Sequence, residues 1–205
     1  MIKSKIKYVE KSTFKECLEE NSFNNVEISD NSDNEILIED IEFNECKFIN
    51  IDFSNVKLNR VDLIDCIFIN CDLSNIVFDF RTILRVEFND SKLIGTSFIN
   101  SSIRDLNVNN SIFRYANFSG SKIDKLRILN SSFNDTRFVD NELKKIELDN
   151  VDFSGSEFSN TSLNNIDFSK SNISNIAIDN NSIRGMIINE FDSKHLIHML
   201  GVKIK

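Results

Sequence analysis

The chain has 205 residues and a net charge of −8, with 40% hydrophobic and 27% charged residues. That is the length of one ordinary domain with its own core, lacking the basic excess that nucleic acid binding needs and any run of about 18 apolar residues to cross a membrane. Proline and tryptophan are absent and glycine occurs five times, whereas phenylalanine occurs 18 times, so turns are made without the usual punctuators and one recurring slot takes the aromatic rings.

At the N-terminus Lys5-Ile6-Lys7-Tyr8-Val9 alternates as an edge strand does, with lysines that discourage further pairing, and is expected to begin the first coil of a repeating structure. No apolar stretch adjoins a basic segment there, which points to a cytoplasmic protein. From Ile38 to Ile188 every fifth residue is apolar: Phe43, Phe48, Phe53, Leu58, Leu63, Phe68 and onward without a miss. At 40% apolar residues, chance agreement over that span is on the order of one in 10¹², which excludes an amphipathic helix and a simple alternating strand. The frame reaches back through Ile28, Phe23 and Leu18, with a lapse at Asp33 inside a polar stretch.

Two residues before most of these positions comes a small or β-branched residue, among them Cys46, Ile51, Val56, Val61, Cys66, Cys71, Thr96, Ser101, Ala116 and Ser121. This is a second inward slot. Cys17, Cys46, Cys66 and Cys71 lack the pair spacing of metal ligands and read as small core fillers. Arg81 breaks the second slot beside Phe80, and because an unpaired buried guanidinium is costly, a bulge or loop is expected there.

Units such as Val61-Asp62-Leu63-Ile64-Asp65, Cys71-Asp72-Leu73-Ser74-Asn75 and Ala116-Asn117-Phe118-Ser119-Gly120 resemble the pentapeptide-repeat family pattern of small residue, Asp or Asn, Leu or Phe, then two polar residues. The resemblance covers residues 16 to 190. It implies an all-β, right-handed quadrilateral β-helix with four pentapeptides to a coil and about eight to nine coils, giving a rod about 40 Å long at a coil spacing of ~4.8 Å. The expected division is a repeat domain over 1–190, including its N-terminal edge-strand cap, and a cap over 191–205.

Past Ile188 the frame gives way to Asp192-Ser193-Lys194-His195-Leu196-Ile197-His198-Met199-Leu200-Gly201, with Asp192 or Ser193 as N-cap and Gly201 as C-cap, then the alternating Val202-Lys203-Ile204-Lys205. This ending resembles the C-terminal dimerisation module of the quinolone-resistance and mycobacterial fluoroquinolone-resistance branches of the family. The resemblance implies a homodimer joined tail to tail through Phe191, Leu196, Met199, Leu200, Val202 and Ile204; the alternative is a cap that folds only on its own rod.

No chemistry is legible. His195 and His198 are the only histidines; three apart on a helix, they lack the third ligand a metal site wants. The serines and aspartates are repeat slots rather than a converging cluster, and acidic pairs on flat faces lack the apolar pocket that would raise one pKa for acid/base work. The expectation is therefore no catalytic residue, no cofactor, no metal and no enzyme. Charge is uneven: residues 21–80 sum to −10, 81–140 to +3 and 141–180 to −4. Arg85, Arg104, Lys122, Lys125, Lys144 and Lys145 fall on one side of the coil, interleaved with Asp105, Asp124 and Glu142, as either an ordinary mixed surface or a basic stripe. Two functions stay open: a protein-interaction scaffold of unknown partner, and, by resemblance to the gyrase-directed members, a mimic of duplex DNA that binds DNA gyrase or topoisomerase IV. On the second reading Asp149, Asp152, Glu157 and Asp167 carry the contact, and no direct nucleic acid or membrane partner is expected.

Overall fold

The structure, a computed structural model, describes residues 4–6, 8–193, 196 and 197. It is a right-handed rod in which the backbone returns on itself every twenty residues. Phe23, Phe43, Leu63, Ile83, Ile103, Ile123 and Leu143 stand one above the other in parallel register, and the ladder reaches Asp167 and Ile187 through isolated bridges. Of the longest strands, Ser102–Asn109 bends around one corner of the square, at Asp105, and Lys122–Ser132 and Glu142–Asp152 around two each. Neighbouring coils donate to each other in both directions: the Asp65 N–H reaches the Leu84 carbonyl of the following coil at 2.8 Å, and the Glu87 N–H the Cys66 carbonyl of the preceding one at 2.9 Å.

The corners explain how so few glycines suffice. Every fifth residue, two after the central apolar position, adopts positive φ at most corners: Asn50, Asn70, Asp90, Asn100, Asn110, Asn130, Asp135 and Asn150 all lie between 47° and 57°. Asn and Asp tolerate this left-handed conformation better than other L-residues, so they make the turns that glycine makes elsewhere. Where Gly120 is used, at φ 73°, the gap left by its missing Cβ is occupied by the Asn100 side chain of the neighbouring coil.

Inside, the central slot is a stack of rings. Phe98, Phe118, Phe138 and Phe158 follow one another at centroid distances of 4.8, 5.0 and 5.2 Å with planes within 4° of parallel, so ring stacking and strand pairing share one spacing. The second slot satisfies backbone. Ser101 Oγ accepts from the Arg81 N–H at 3.1 Å and donates to the Phe78 carbonyl at 2.7 Å, and Ser121, Thr136, Ser156 and Thr161 donate in the same way to Phe98, Phe113, Phe133 and Phe138. Cys46 and Cys66 take the same position, their thiols pointing at the carbonyls of Phe23 and Phe43. A small side chain with a donor is what the slot asks for, because an unpaired buried carbonyl is costly.

Several expectations need correction. Among the described residues of 5–9 none is in a strand; the first described pairing is of Glu10 and Lys11, opposite Val26 and Glu27, and residues 4 and 5 instead bond to the flank of the rod. The end of the stack is closed by a helix that the repeat frame conceals, α1 (Phe14–Glu19), started by a capping box between Thr13 and Glu16. Arg81 causes no bulge: Thr82 to Leu84 pair in register with Ser102 to Arg104, and the guanidinium turns outward to donate from Nε to the Asp79 carbonyl at 3.2 Å. Around Asp33 the chain leaves the ladder between Ile28 and Ile36, and side chains stand in for backbone, Asn31 Oδ1 accepting the Asp52 N–H at 2.7 Å. The frame does slip once, in the last coil, where Ser182 rather than Asn181 fills the second slot and bonds the Thr161 N–H; Asp179 ties that extra residue down by accepting from the N–H groups of Asn181 and Ser182.

Candidate interaction surface

With the interior filled, chemistry is left to the outside. A small apolar gap between Phe138, Ile146 and Phe158 offers about 10 Å³, room for at most one water. The outer depressions are shallow and polar; one, of about 210 Å³, lies on the side lined by Arg104, Lys122, Asp124, Glu142 and Lys144. Among the described residues no group of three His, Cys, Asp or Glu could hold a metal ion, and no helix is long and apolar enough to cross a membrane. His195 and His198 lie outside the described residues. All four cysteines are buried and unbridged, and burial pushes the Cys71 thiol up to about 11 and raises those of Cys17 and Cys66, which keeps them protonated and unreactive.

Outward side chains stack in columns twenty residues apart, so the sign of each charge relative to its vertical neighbour decides what a face presents. On the side expected to be basic, neighbours alternate in sign. Arg104 pairs with Asp124 at 3.8 Å, Lys122 with Glu142 at 3.1 Å, Lys125 with Asp105 at 3.5 Å and Arg85 with Asp65 at 2.5 Å. Lys144 and Lys145 alone of the six make no ion pair among the described residues. The mixed surface, not the stripe, is what the rod presents.

The Arg85 and Asp65 pair is unlike the exposed ones, since both side chains are largely buried at their corner. Burial raises the Asp65 pKa, but the Arg85 guanidinium and the Lys5 N–H outweigh it and leave the carboxyl below its ordinary value. Lower in the rod Lys47 pairs with Glu27 and Lys57 with Glu35 in the same alternating way, but two columns bring like charges together, Glu42 directly beside Asp62 and Asp52 beside Asp72, with Lys92 reaching Asp72 at 3.8 Å from the next coil; such a pair costs stability unless something positive lies over it.

The four acidic residues expected at a partner contact do not converge. Asp149 and Asp167 share one side, Asp152 lies on the next and Glu157 on the one after. Asp149 is paired with Lys170 at 3.2 Å and Glu157 with Arg137 at 3.1 Å, while Asp152 accepts from Asn134, Ser154 and Asn172, and Asp167 from the Ser169 N–H. At the tail, Ser193, Leu196 and Ile197 are helical. Leu196 is buried in its own chain, whereas Phe191 is 85% exposed; Met199, Leu200, Val202 and Ile204 lie outside the described residues. Exposed aromatics that the repeat pattern did not single out are Phe80 and Tyr115, both at positive-φ corners, the latter beneath the Arg114 guanidinium.

The sequence profile described as pentapeptide repeats in eight copies matches residues 40–78 and 146–180, and that of a pentapeptide repeat region matches residues 61–132. No curated protein matches the chain. Among solved structures, full-length QnrB1, a plasmid-mediated fluoroquinolone resistance protein, is similar at 20% identity over 94% of this chain and 95% of that one, with a TM-score of 0.47. A trypsin-treated form of QnrB1 is 19% identical over 100% of this chain and 95% of that one, at 0.48. HetL, a pentapeptide repeat protein involved in heterocyst differentiation regulation in a Nostoc cyanobacterium, is 10% identical over 92% of each chain, at 0.32.

Proposed function

The chain belongs to the pentapeptide-repeat family, and from that premise we propose that it is a non-catalytic rod that serves as a protein-interaction scaffold. The observation that carries this reading is the division of labour between the slots: both inward positions are spent on ring stacking and backbone satisfaction, as at Phe118 and Ser121, so only flat outer columns remain for recognition. Cross-linking the purified protein in an extract of its own cell, then repeating the capture with Glu42, Asp52, Asp62 and Asp72 changed to Lys, tests it. A partner retained by the original and lost by the variant supports the scaffold; turnover of a small molecule by either would overturn it.

A second, narrower reading is favoured by the like-charged columns. Carboxylates stacked at about the coil spacing of ~4.8 Å imitate a run of phosphates, and the three coils over 21–80 carry the −10 that such a run requires. On this reading the partner is a type II topoisomerase such as DNA gyrase, Asp149, Asp152, Glu157 and Asp167 extend the contact from separate sides, and two rods join at their tails, where Phe191 and Ile187 are exposed. A gyrase supercoiling assay, with and without a fluoroquinolone and at two salt concentrations, separates the two readings. Inhibition or drug rescue that weakens with salt supports the mimic; no effect at large molar excess leaves the scaffold alone. For the tail, Phe191→Asp should halve the mass seen in sedimentation.

A further inference from the structure

The N-terminal segment is held by groups far along the chain. The Lys5 N–H donates to Asp65 Oδ1 at 2.8 Å, and both the N–H and the hydroxyl of Ser4 reach Glu87 Oε1 at 3.2 Å. Glu10 then pairs with Val26, three coils nearer the N-terminal end than Glu87. Three coil spacings are about 14 Å, and the six steps from Ser4 to Glu10 span up to about 20 Å when extended. Its described ends, Ser4 and Lys5 at one end and Glu10 at the other, therefore lie across the coils rather than along one of them, the former on the column of Lys47, Ile67 and Glu87, as a strap would.

The flank beneath it is partly buried. Asp40, Asp90, Asp135 and Asp140 stand exposed at other corners, whereas Asp65, like Asp105 two coils further along the same column, is buried. Its carboxylate is completed from two directions, by the Arg85 Nε at 2.6 Å and by the strap. Around it Ile64, Ile67 and Leu84 occupy outward positions, and all three are half-buried. A carboxylate and an apolar rim at this spacing suit one class of ligand: an extended segment that offers main-chain N–H groups, with alternating lysine and apolar side chains. The sequence of the strap, Lys3-Ser4-Lys5-Ile6-Lys7, has that composition.

We propose that the flank formed by Asp65, Ile67 and Glu87 is a docking strip for an extended, lysine-bearing peptide, occupied in this chain by its own N-terminal strap. A partner protein with such a segment binds once the strap lifts. A tethered segment competes at an effective concentration on the order of millimolar, so the strap masks the strip from weak ligands and yields only to a tighter or more abundant one. This deepens the scaffold reading by giving it one surface and one partner chemistry, and it rests on that reading. It stands apart from the acidic columns at Glu42 and Asp52, so capture through those columns survives if the strip fails.

The test uses a fluorescent peptide with the sequence of residues 1–11, titrated in anisotropy against the intact chain and against a chain lacking residues 1–9. Expected is binding to the shortened chain at least tenfold tighter than to the intact one, lost when Glu87→Gln is added and weakened when the peptide's lysines are replaced by glutamate. Equal affinity for both chains, no binding to a shortened chain that keeps its β-rich spectrum, or indifference to the lysine replacement would overturn it. If the shortened chain does not fold, Lys5→Pro in the full chain removes the N–H that Asp65 accepts. That variant should bind the peptide where the original does not; failure to do so also counts against the strip.

Discussion

Phe14 packs edge-on against Phe53, ring centroids 6.0 Å apart, and in doing so fills the place where Asp33 should have supplied an inward residue. Phe53 would otherwise end the ring stack against solvent, since the residue twenty before it is polar and exposed. From α1, Phe14 also meets Phe23 and Phe48, so one side chain closes the end of the rod against rings from three of its sides.

Phe14→Ala should therefore cost about 3–5 kcal/mol at the capped end, the range for emptying a buried aromatic site. In a solenoid that loss is felt locally, as fraying of the first coils, before it is felt globally. Hydrogen exchange should show amides between 23 and 48 opening while those near Phe118 stay protected, and Phe14→Leu should restore much of the protection. Uniform loss across the rod, or none, would show that α1 is not the cap.

Gly120→Ala tests the corner geometry. At φ 73° any Cβ is strained, and here it also runs into Asn100 Oδ1, an atom near the short end of a side chain that sits in the next corner. The expected loss is about 1–3 kcal/mol, seen as a lower denaturant midpoint with an unchanged slope. Gly120→Asn should lose less backbone energy than Ala, because Asn accepts the left-handed conformation, yet still displace Asn100.

What is legible in the sequence divides along range. The five-residue frame carries the coil, the slots and the ring stack, because each is a local statement repeated until chance is excluded. The ion pairs of Arg104 with Asp124 and Lys122 with Glu142 are also within reach, since a twenty-residue register makes them vertical neighbours. What is not legible is whatever leaves the frame: α1 lies before the pattern becomes continuous, and Lys5 meets Asp65 across sixty residues with no periodicity to announce it. The slip at Ser182 hides for the opposite reason, because Ile183 keeps the apolar beat while the backbone around it shifts.

Acid should loosen the rod at particular places. Asp65, Asp152 and Asp179 all have carboxyls held below their ordinary values. For Asp179 the Ser182 hydroxyl is the main cause, followed by the N–H groups of Asn160, Ser182 and Asn181; for Asp152, burial opposes hydrogen bonds from Ser154, Asn134 and Asn172 that outweigh it. A depressed native pKa means that the stabilisation is complete above the unfolded value of about 3.9 and lost as pH falls through the native one. Melting temperature should hold from pH 7 to about 5 and drop below about 4. Asp179→Asn should flatten part of that drop, and an unchanged acid limb in that variant would remove Asp179 from the account.

Arg81 offers a gain instead of a loss. In its column Ser101 accepts the N–H of the residue one coil below, Arg81, and returns its proton to the Phe78 carbonyl, 23 residues back. With Arg81→Ser the new hydroxyl would stand in the same relation to the Val61 N–H and the Leu58 carbonyl, both in register one coil lower. The change would also release the Asp79 carbonyl from a guanidinium that already reaches solvent. One additional satisfied backbone position contributes about 0.5–1.5 kcal/mol, which for a domain of this size raises the melting temperature by about 1–6 °C. Arg81→Ala should gain nothing, because it fits the slot without supplying the hydroxyl, so the difference between the two variants isolates the hydrogen bond. A serine variant no more stable than the alanine one would mean that the second slot works by size alone.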